Sequence, residues 1–209
     1  MVQKIACPVT AKIRVFDYEK ETIEYVKALE NTGISTLTVH GRTISNCKHD
    51  ISSSDWNIIR EIKKVTKNLP IVANGGISKI DDAKLLKQYT GVDGVMSAEA
   101  LLENPRLFCE EGDYEFRERY PVSQLMVVEE FMNLCENFIE GPSEHHNNNH
   151  NDISKSLSLE SKQAQLKMVK SHLFKLLYRF LDVHHDIRNQ MGRIKGGSLS
   201  NYKSLITEL

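Results

Sequence analysis

Over its first 105 residues the chain alternates short apolar runs with amphipathic stretches. Val9–Val15 reads as a strand. Glu19–Thr32 then carries Ile23, Val26 and Leu29 at helical spacing, and Gly33 is placed to end that helix. Thr36–His40 is a second strand. Asp55–Lys67 puts Trp56, Ile59, Ile62 and Val65 on one helical face. Pro70–Asn74 is a third strand. Ser78 opens the next helix, Asp81 stands where a capping box needs an acid, and Gly91 closes the helix after Tyr89. Gly94–Ser97 is a fourth strand, followed by a short helix to about Glu103. Short apolar strands without polar alternation, each followed by a helix, predict an α/β fold with a parallel sheet. Either a doubly wound sheet or part of a βα barrel satisfies the pattern. A complete eight-unit barrel needs at least about 200 residues. The stretch before Pro105 accommodates half of one.

Beyond Pro105 the period is helical throughout. Val122–Ile139 places Leu125, Val128, Met132, Cys135 and Ile139 on one face. Glu160–Met191 reads as one long helical pattern through Leu166, Val169, Leu173, Leu176, Phe180, Val183, Ile187 and Met191. The tail after Met191 reads as a loop with one further turn. Between the two patterns, residues 141–158 hold a polar Asn/His-rich tract that cannot bury apolar surface, and a disordered insertion is expected there. The expected organisation is a βα domain over residues 1–108 and a small all-helical domain over residues 109–209.

Charge changes this picture in one place. Lys162–Lys195 holds eight Lys/Arg against two acids, whereas Val122–Ser161 holds one Lys against seven acids. A basic helix can meet a polyanion, and it can equally be a solvated face. No apolar run approaches the 18 or so residues of a membrane helix, and no signal peptide opens the chain, so an intracellular location, cytoplasmic or nuclear, is expected. The four cysteines (Cys7, Cys47, Cys109, Cys135) form no CxxC pair, and neither a disulfide framework nor a zinc site is signalled. The His/Asn tract is not expected to hold a metal, because a flexible polar loop offers no supporting shell.

Functional groups of a βα protein gather at the carboxyl ends of its strands. Those ends carry Lys12 and Arg14, His40 and Arg42, Asn74-Gly75-Gly76, and Ser97-Ala98-Glu99. Lys12 and Arg14 share a face of their strand. An anionic ligand would offset their charge, and so would a salt bridge to a neighbouring acid. Glycines next to a helix N-terminus let a backbone approach phosphate, although an Asn-Gly-Gly run taken alone is as well a plain turn. A lone His at a strand end is as often a satisfied core residue as a ligand contact.

Taken in order and spacing, KIR, LTVHGRT, PIVANGGI, DGVMSAEALLENPRLF and VKSHLFKLLYRFLDVHHDIR resemble the tRNA-dihydrouridine synthases, and within them the eukaryotic branch acting near positions 16 and 17 of the tRNA D-loop. The resemblance implies strands 5–8 of a flavin-binding TIM (β/α)8 barrel followed by a helical tRNA-binding domain. It implies FMN as cofactor and NADPH as reductant. Lys12 would lie near the pyrimidine edge of the flavin, His40 beside its ring, and Asn74, Gly75 and Gly76 at one phosphate-contacting turn. Ala98 and Glu99 would form the other turn. Many bacterial members have Gly-Arg there, so no arginine charge assists at that point in this chain. Arg14, Arg42, Lys167, Lys170, His172, Lys175 and Arg179 are the expected RNA contacts.

In the family's reaction reduced flavin passes hydride to C6 of a flipped-out uracil and a cysteine protonates C5. By motif order that cysteine is expected upstream of residue 1, and no residue of this chain is expected to replace it. Cys7 precedes its strand, and Cys47 falls out of the motif order. Alone, the chain is therefore expected to bind flavin weakly or not at all and to form no dihydrouridine. The alternative reading is a noncatalytic tRNA-binding fragment without flavin.

Overall fold

The computed structural model describes residues 2–45, 54–108, 120–139, 159–195 and 198–209. The Asn/His tract, Cys47 and Cys109 lie outside the described residues. Four strands, β1 (Thr10–Val15), β2 (Thr36–Thr43), β3 (Ile71–Asn74) and β4 (Gly94–Met96), pair in sequence order, and every pair is parallel. Helices α1 (Glu19–Glu30), α2 (Trp56–Val65) and α3 (Ile80–Thr90) connect them, and α4 (Glu99–Glu103) follows β4.

Side chains alternate across a strand, so Leu37, Val39, Ile71 and Ala73 point to one face. There they are buried with Val26 of α1, Ile59 and Ile62 of α2, and Leu86 of α3. At the start of α2, Asp55 caps the helix by accepting from the Asn57 N–H at 2.8 Å. Helix α3 begins later than its sequence pattern suggests. Lys79 is the N-cap, and Asp82, not Asp81, accepts from the Ser78 and Lys79 N–H groups at 2.9 and 3.1 Å.

Two carboxylates fasten the approach to β3. Glu30 accepts from the backbone N–H groups of Lys67, Asn68 and Leu69 at 2.9, 3.1 and 3.3 Å, and these bonds hold its pKa below the usual carboxylate value. Asp93 accepts from Lys63 Nζ at 2.8 Å and from the Ile71 N–H at 2.7 Å, and both lower its pKa. The stabilisation from these two acids is present above their unfolded pKa values and is lost as pH falls through the lower folded ones.

The second compact unit comprises Leu102–Pro105 and Cys109–Leu209, and the first comprises Met1–Leu101 with Arg106–Phe108. In the second unit lie α5 (Tyr120–Ile139), α6 (Leu159–Leu176), α7 (Tyr178–Val183), α8 (His185–Arg193) and α9 (Leu199–Ile206). The long pattern read from Glu160 to Met191 is thus three helices. The apolar stripe carries on through the breaks, with Val169, Leu173, Leu177, Leu181, Ile187 and Met191 all buried in one core. At the first break Gln124 of α5, itself buried, donates its side-chain amide to the Leu176 carbonyl at 2.6 Å. The tail contains a helix rather than a single turn: Ser198 caps α9, and Leu199, Tyr202 and Leu205 enter the core. No helix among the described residues is long and apolar enough to cross a membrane.

Candidate functional site

The strand register builds the site. Arg14 pairs with His40, His40 with Asn74, and Asn74 with Met96, so one row crosses all four strands near their carboxyl ends. Beyond Arg14 the register jumps: Val15 pairs with Thr43, and Gly41 and Arg42 are extra residues in β2. A bulge of this kind re-aims the side chains that follow it. Arg14 Nη1 closes it by donating to the Thr43 carbonyl at 2.9 Å. Gly41 is required here by proximity rather than by its dihedral angles. A Cβ at this position would lie 2.5 Å from the Asp55 carbonyl oxygen and 2.6 Å from Ser54 Oγ. The HGRT run therefore encodes a bulge seated against the residues that lead into α2.

The chain after β3 turns through two left-handed residues, Gly75 at φ 102° and Gly76 at φ 74°. Three side chains from two other segments hold this turn by its carbonyls. Ser54 Oγ donates to the Asn74 carbonyl at 3.3 Å, Trp56 Nε1 to the Gly75 carbonyl at 3.3 Å, and Ser97 Oγ to the Ile77 carbonyl at 3.0 Å. Asn74 reaches sideways, its Nδ2 donating to the Met96 carbonyl at 2.9 Å. The imidazole of His40 packs so close to Gly75 that a Cβ there would meet its Cδ2 at 2.6 Å.

These pieces enclose a cleft of about 310 Å³ lined by Lys12, Arg14, His40, Arg42, the Asn74–Ile77 turn and Met96–Ala100. All residues expected at the strand ends from sequence, Ala98 and Glu99 included, thus meet around one opening. Its charge is unbalanced, with three cations facing one carboxylate, Glu99. His40 registers the imbalance. Its pKa is pushed down to about 4, first by burial and then by Arg14, Lys12 and Arg42, while Glu99 opposes them. At neutral pH its imidazole is uncharged, with one nitrogen to donate and one to accept. The buried Nε of Arg42 has no hydrogen-bond partner among the described residues. Cationic side chains, an orphaned buried N–H and a glycine turn free of side chains can together hold an anion. Arg42 also borders a second opening, beside Asp17, Glu19 and Asp55.

The expected RNA contacts divide between the two units. Arg14 and Arg42 are in the cleft. Lys167, His172, Lys175 and Arg179 are exposed in the helical unit, and the His172 ring lies 5.8 Å from that of Phe131. Lys170 has a structural part, its Nζ donating to the Gly192 and Ile194 carbonyls at 2.7 and 3.0 Å, at the end of α8. Lys170→Ala is accordingly expected to destabilise the helical unit by about 1–2 kcal/mol, read from thermal unfolding, whereas Lys167→Ala should be close to neutral. Sequence reasoning missed Ser54 and Trp56. The Ser-Asp-Trp run was visible, but nothing local showed that its hydroxyl and indole reach a turn about 20 residues away. No cluster of three or more His, Cys, Asp or Glu suited to a metal occurs among the described residues.

A parallel α/β sheet whose strand ends converge on a cationic, glycine-lined cleft offers a place where an anionic ligand can be held. The family is defined by sequence: the dihydrouridine synthase profile matches residues 1–196, and the chain belongs to that family. It is 35% identical over 195 residues to a tRNA-dihydrouridine(16/17) synthase of Schizosaccharomyces pombe whose name specifies NAD(P)(+), covering 91% of this chain and 43% of that protein. A mouse tRNA-dihydrouridine(16/17) synthase-like protein is 33% identical over 193 residues, covering 92% of this chain and 34% of that one. The corresponding Saccharomyces cerevisiae protein is 30% identical, with 90% and 40% covered. The chain therefore spans about two fifths, or less, of the length of these relatives.

Proposed function

We propose that this chain contributes the flavin-facing rim and an RNA-binding helical surface to a tRNA-dihydrouridine synthase that reduces uridine in the tRNA D-loop. The observation that carries the proposal is the cationic cleft beside the Asn74-Gly75-Gly76 turn, in a chain of this family. Its four strands are proposed as one half of a (β/α)8 barrel, with FMN at the mouth and NADPH as reductant. The residues present fit FMN, since three cations and an Arg42 Nε without a partner among the described residues can accommodate an anion, and the Gly75 position admits no side chain. When bound, FMN supplies the hydride chemistry.

The chain's own groups bind and orient. Lys12, Arg14 and Arg42 favour negative charge in the cleft. The turn after β3 receives the phosphate. Uncharged His40 offers one donor and one acceptor without adding a fourth positive charge. Glu99, at the start of α4, lines the same cleft, so its carboxylate must turn from a bound phosphate or oppose it. The proton for C5 comes from none of the described cysteines. Cys7 precedes β1, whereas the cleft lies past the carboxyl end of that strand. Cys135 is on α5 in the helical unit, and burial pushes its thiol pKa up.

The chain has a single tryptophan, Trp56, and its indole touches the proposed phosphate turn. Binding to this chain alone is expected to be weak, so titration to high FMN concentration should quench Trp56 emission. Riboflavin, which lacks the phosphate, should need about tenfold or more higher concentration, the loss of one or two charge-assisted hydrogen bonds. Equal quenching by the two flavins would remove the phosphate from this turn.

Folded RNA is recognised mainly through shape and backbone, which suits a basic helical surface. A Lys167/Lys175/Arg179→Ala variant should bind tRNA more weakly and flatten the salt dependence by roughly one unit of slope per lost phosphate contact. Filter binding across a salt series measures this, and an unchanged slope would leave tRNA contact to the cleft rim at Arg14 and Arg42.

A further inference from the structure

Three side chains from outside the turn grip its carbonyls: Ser54 at Asn74, Trp56 at Gly75 and Ser97 at Ile77. None has a part in the function proposed so far. Ser54 and Ser97 are buried, at 6% and 9% exposure, and Trp56 packs against the core of the βα unit. The grips are thus made from rigid ground. A trans peptide points its C=O and its N–H in opposite directions. Fixing the Gly75 carbonyl on Trp56 therefore turns the Gly76 N–H away from Trp56. Trp56 does not line the cleft, but Gly75, Gly76 and Ile77 all do. Free of the grip, two consecutive glycines would sample many peptide orientations, since glycine populates both signs of φ about equally.

We propose that Trp56, with Ser54 and Ser97, is a positioning residue that pre-sets the peptide planes of the Asn74–Ile77 turn so that its N–H groups face an incoming phosphate. The inference rests on the reading of this turn as a phosphate site. Preorganised donors raise affinity because their ordering has already been met in folding. The indole N–H makes the decisive contact, because Gly75 has no side chain by which to be held. The indole ring also lies close over Gly76, where a Cβ would meet Nε1 at 3.2 Å. The indole thus packs against both glycines of the turn from the side away from the cleft.

The test compares the wild-type chain with Trp56→Phe, which keeps the apolar ring and deletes the donor, and with Ser97→Ala, which releases the turn from the β4 side. FMN and riboflavin affinities are measured for each by calorimetry, and ¹⁵N-glycine spectra are recorded without ligand. Wild type should prefer FMN. Trp56→Phe should lose about tenfold in FMN affinity, the equivalent of one hydrogen bond near 1.4 kcal/mol, and leave riboflavin affinity unchanged. Ser97→Ala should move the same ratio in the same direction, and both variants should shift and broaden the Gly75 and Gly76 amide resonances. A purely structural role would lower both flavins together. Trp56→Phe and Ser97→Ala that keep the wild-type preference for FMN, with unshifted glycine amides, overturn the positioning role. A wild-type chain with no preference for FMN overturns the phosphate reading beneath it.

Discussion

Gly75→Ala is expected to destabilise the βα unit by about 2–4 kcal/mol, the sum of a left-handed backbone penalty and an overpacking cost. Gly75 sits at φ 102°, and its added Cβ would lie 2.6 Å from His40 Cδ2, 2.7 Å from Nε2 and 2.8 Å from Ser54 Oγ. Neither neighbour can withdraw easily, because His40 is in the strand row and Ser54 is buried. Gly91 supplies the control. It ends α3 at φ 70° with nothing within 4 Å of its added Cβ, so Gly91→Ala should cost about 1–2 kcal/mol, the backbone term alone. Urea unfolding of the two variants separates the contributions. Equal losses would mean that the His40 contact yields freely, and that Gly75 serves the turn's dihedral angles but not its closeness to the imidazole.

The second large effect concerns catalysis. The 209 residues, incubated with unmodified tRNA, FMN and NADPH, should form no dihydrouridine detectable by nucleoside mass analysis. General acid catalysis needs the proton within hydrogen-bond reach of its acceptor, about 3 Å or one bridging water away. Cys7 is before the amino end of β1, and Cys135 is in the helical unit. In the cleft itself His40 is held neutral, its pKa pushed down to about 4, and is a poor proton donor near neutral pH. Dihydrouridine formed at a steady rate would overturn this assignment. A Glu99→Gln variant would then show whether the carboxyl had served as the acid.

Much of the fold could be read from the sequence because its signals are local. The strands at Thr36, Ile71 and Gly94 each begin within a residue of where the apolar runs place them, and α2 carries its buried Ile59 and Ile62 as its spacing predicts. The convergence of Lys12, His40, Asn74 and Ser97 followed from the rule that parallel strands end on one side. What escaped was set by distant partners. The bulge at Gly41–Arg42 depends on the approach of Ser54 and Asp55. The break after Leu176 depends on a Gln124 amide that takes its carbonyl, while the apolar stripe gives no hint of interruption. The late start of α3 reflects a choice between two adjacent acids, Asp81 and Asp82, that composition cannot make. The tail helix α9 did leave a signal, Ser198 ahead of Leu199, Tyr202 and Leu205, but its few turns are too short for periodicity to declare. For Trp56 the apolar pattern showed a core residue and concealed a hydrogen-bond donor.

If the cationic cleft at the strand ends receives the phosphate-bearing flavin, as proposed, His40 reports on it. Its pKa of about 4 arises from burial and from Arg14, Lys12 and Arg42, so an anion bound among those cations must favour the imidazolium and raise that value. By linkage, this coupling favours FMN binding at lower pH, against the loss of phosphate charge as the phosphate itself protonates near pH ~6. The decisive measurement is the NMR titration of the His40 Hε1 resonance, assigned by His40→Gln, without and with saturating FMN. A midpoint near 4 is expected without ligand, and a clear upward shift with FMN. A His40 midpoint that FMN leaves unmoved would contradict the proposal, most plainly if FMN instead shifted resonances of the helical unit around Lys167, Lys170 and Tyr202.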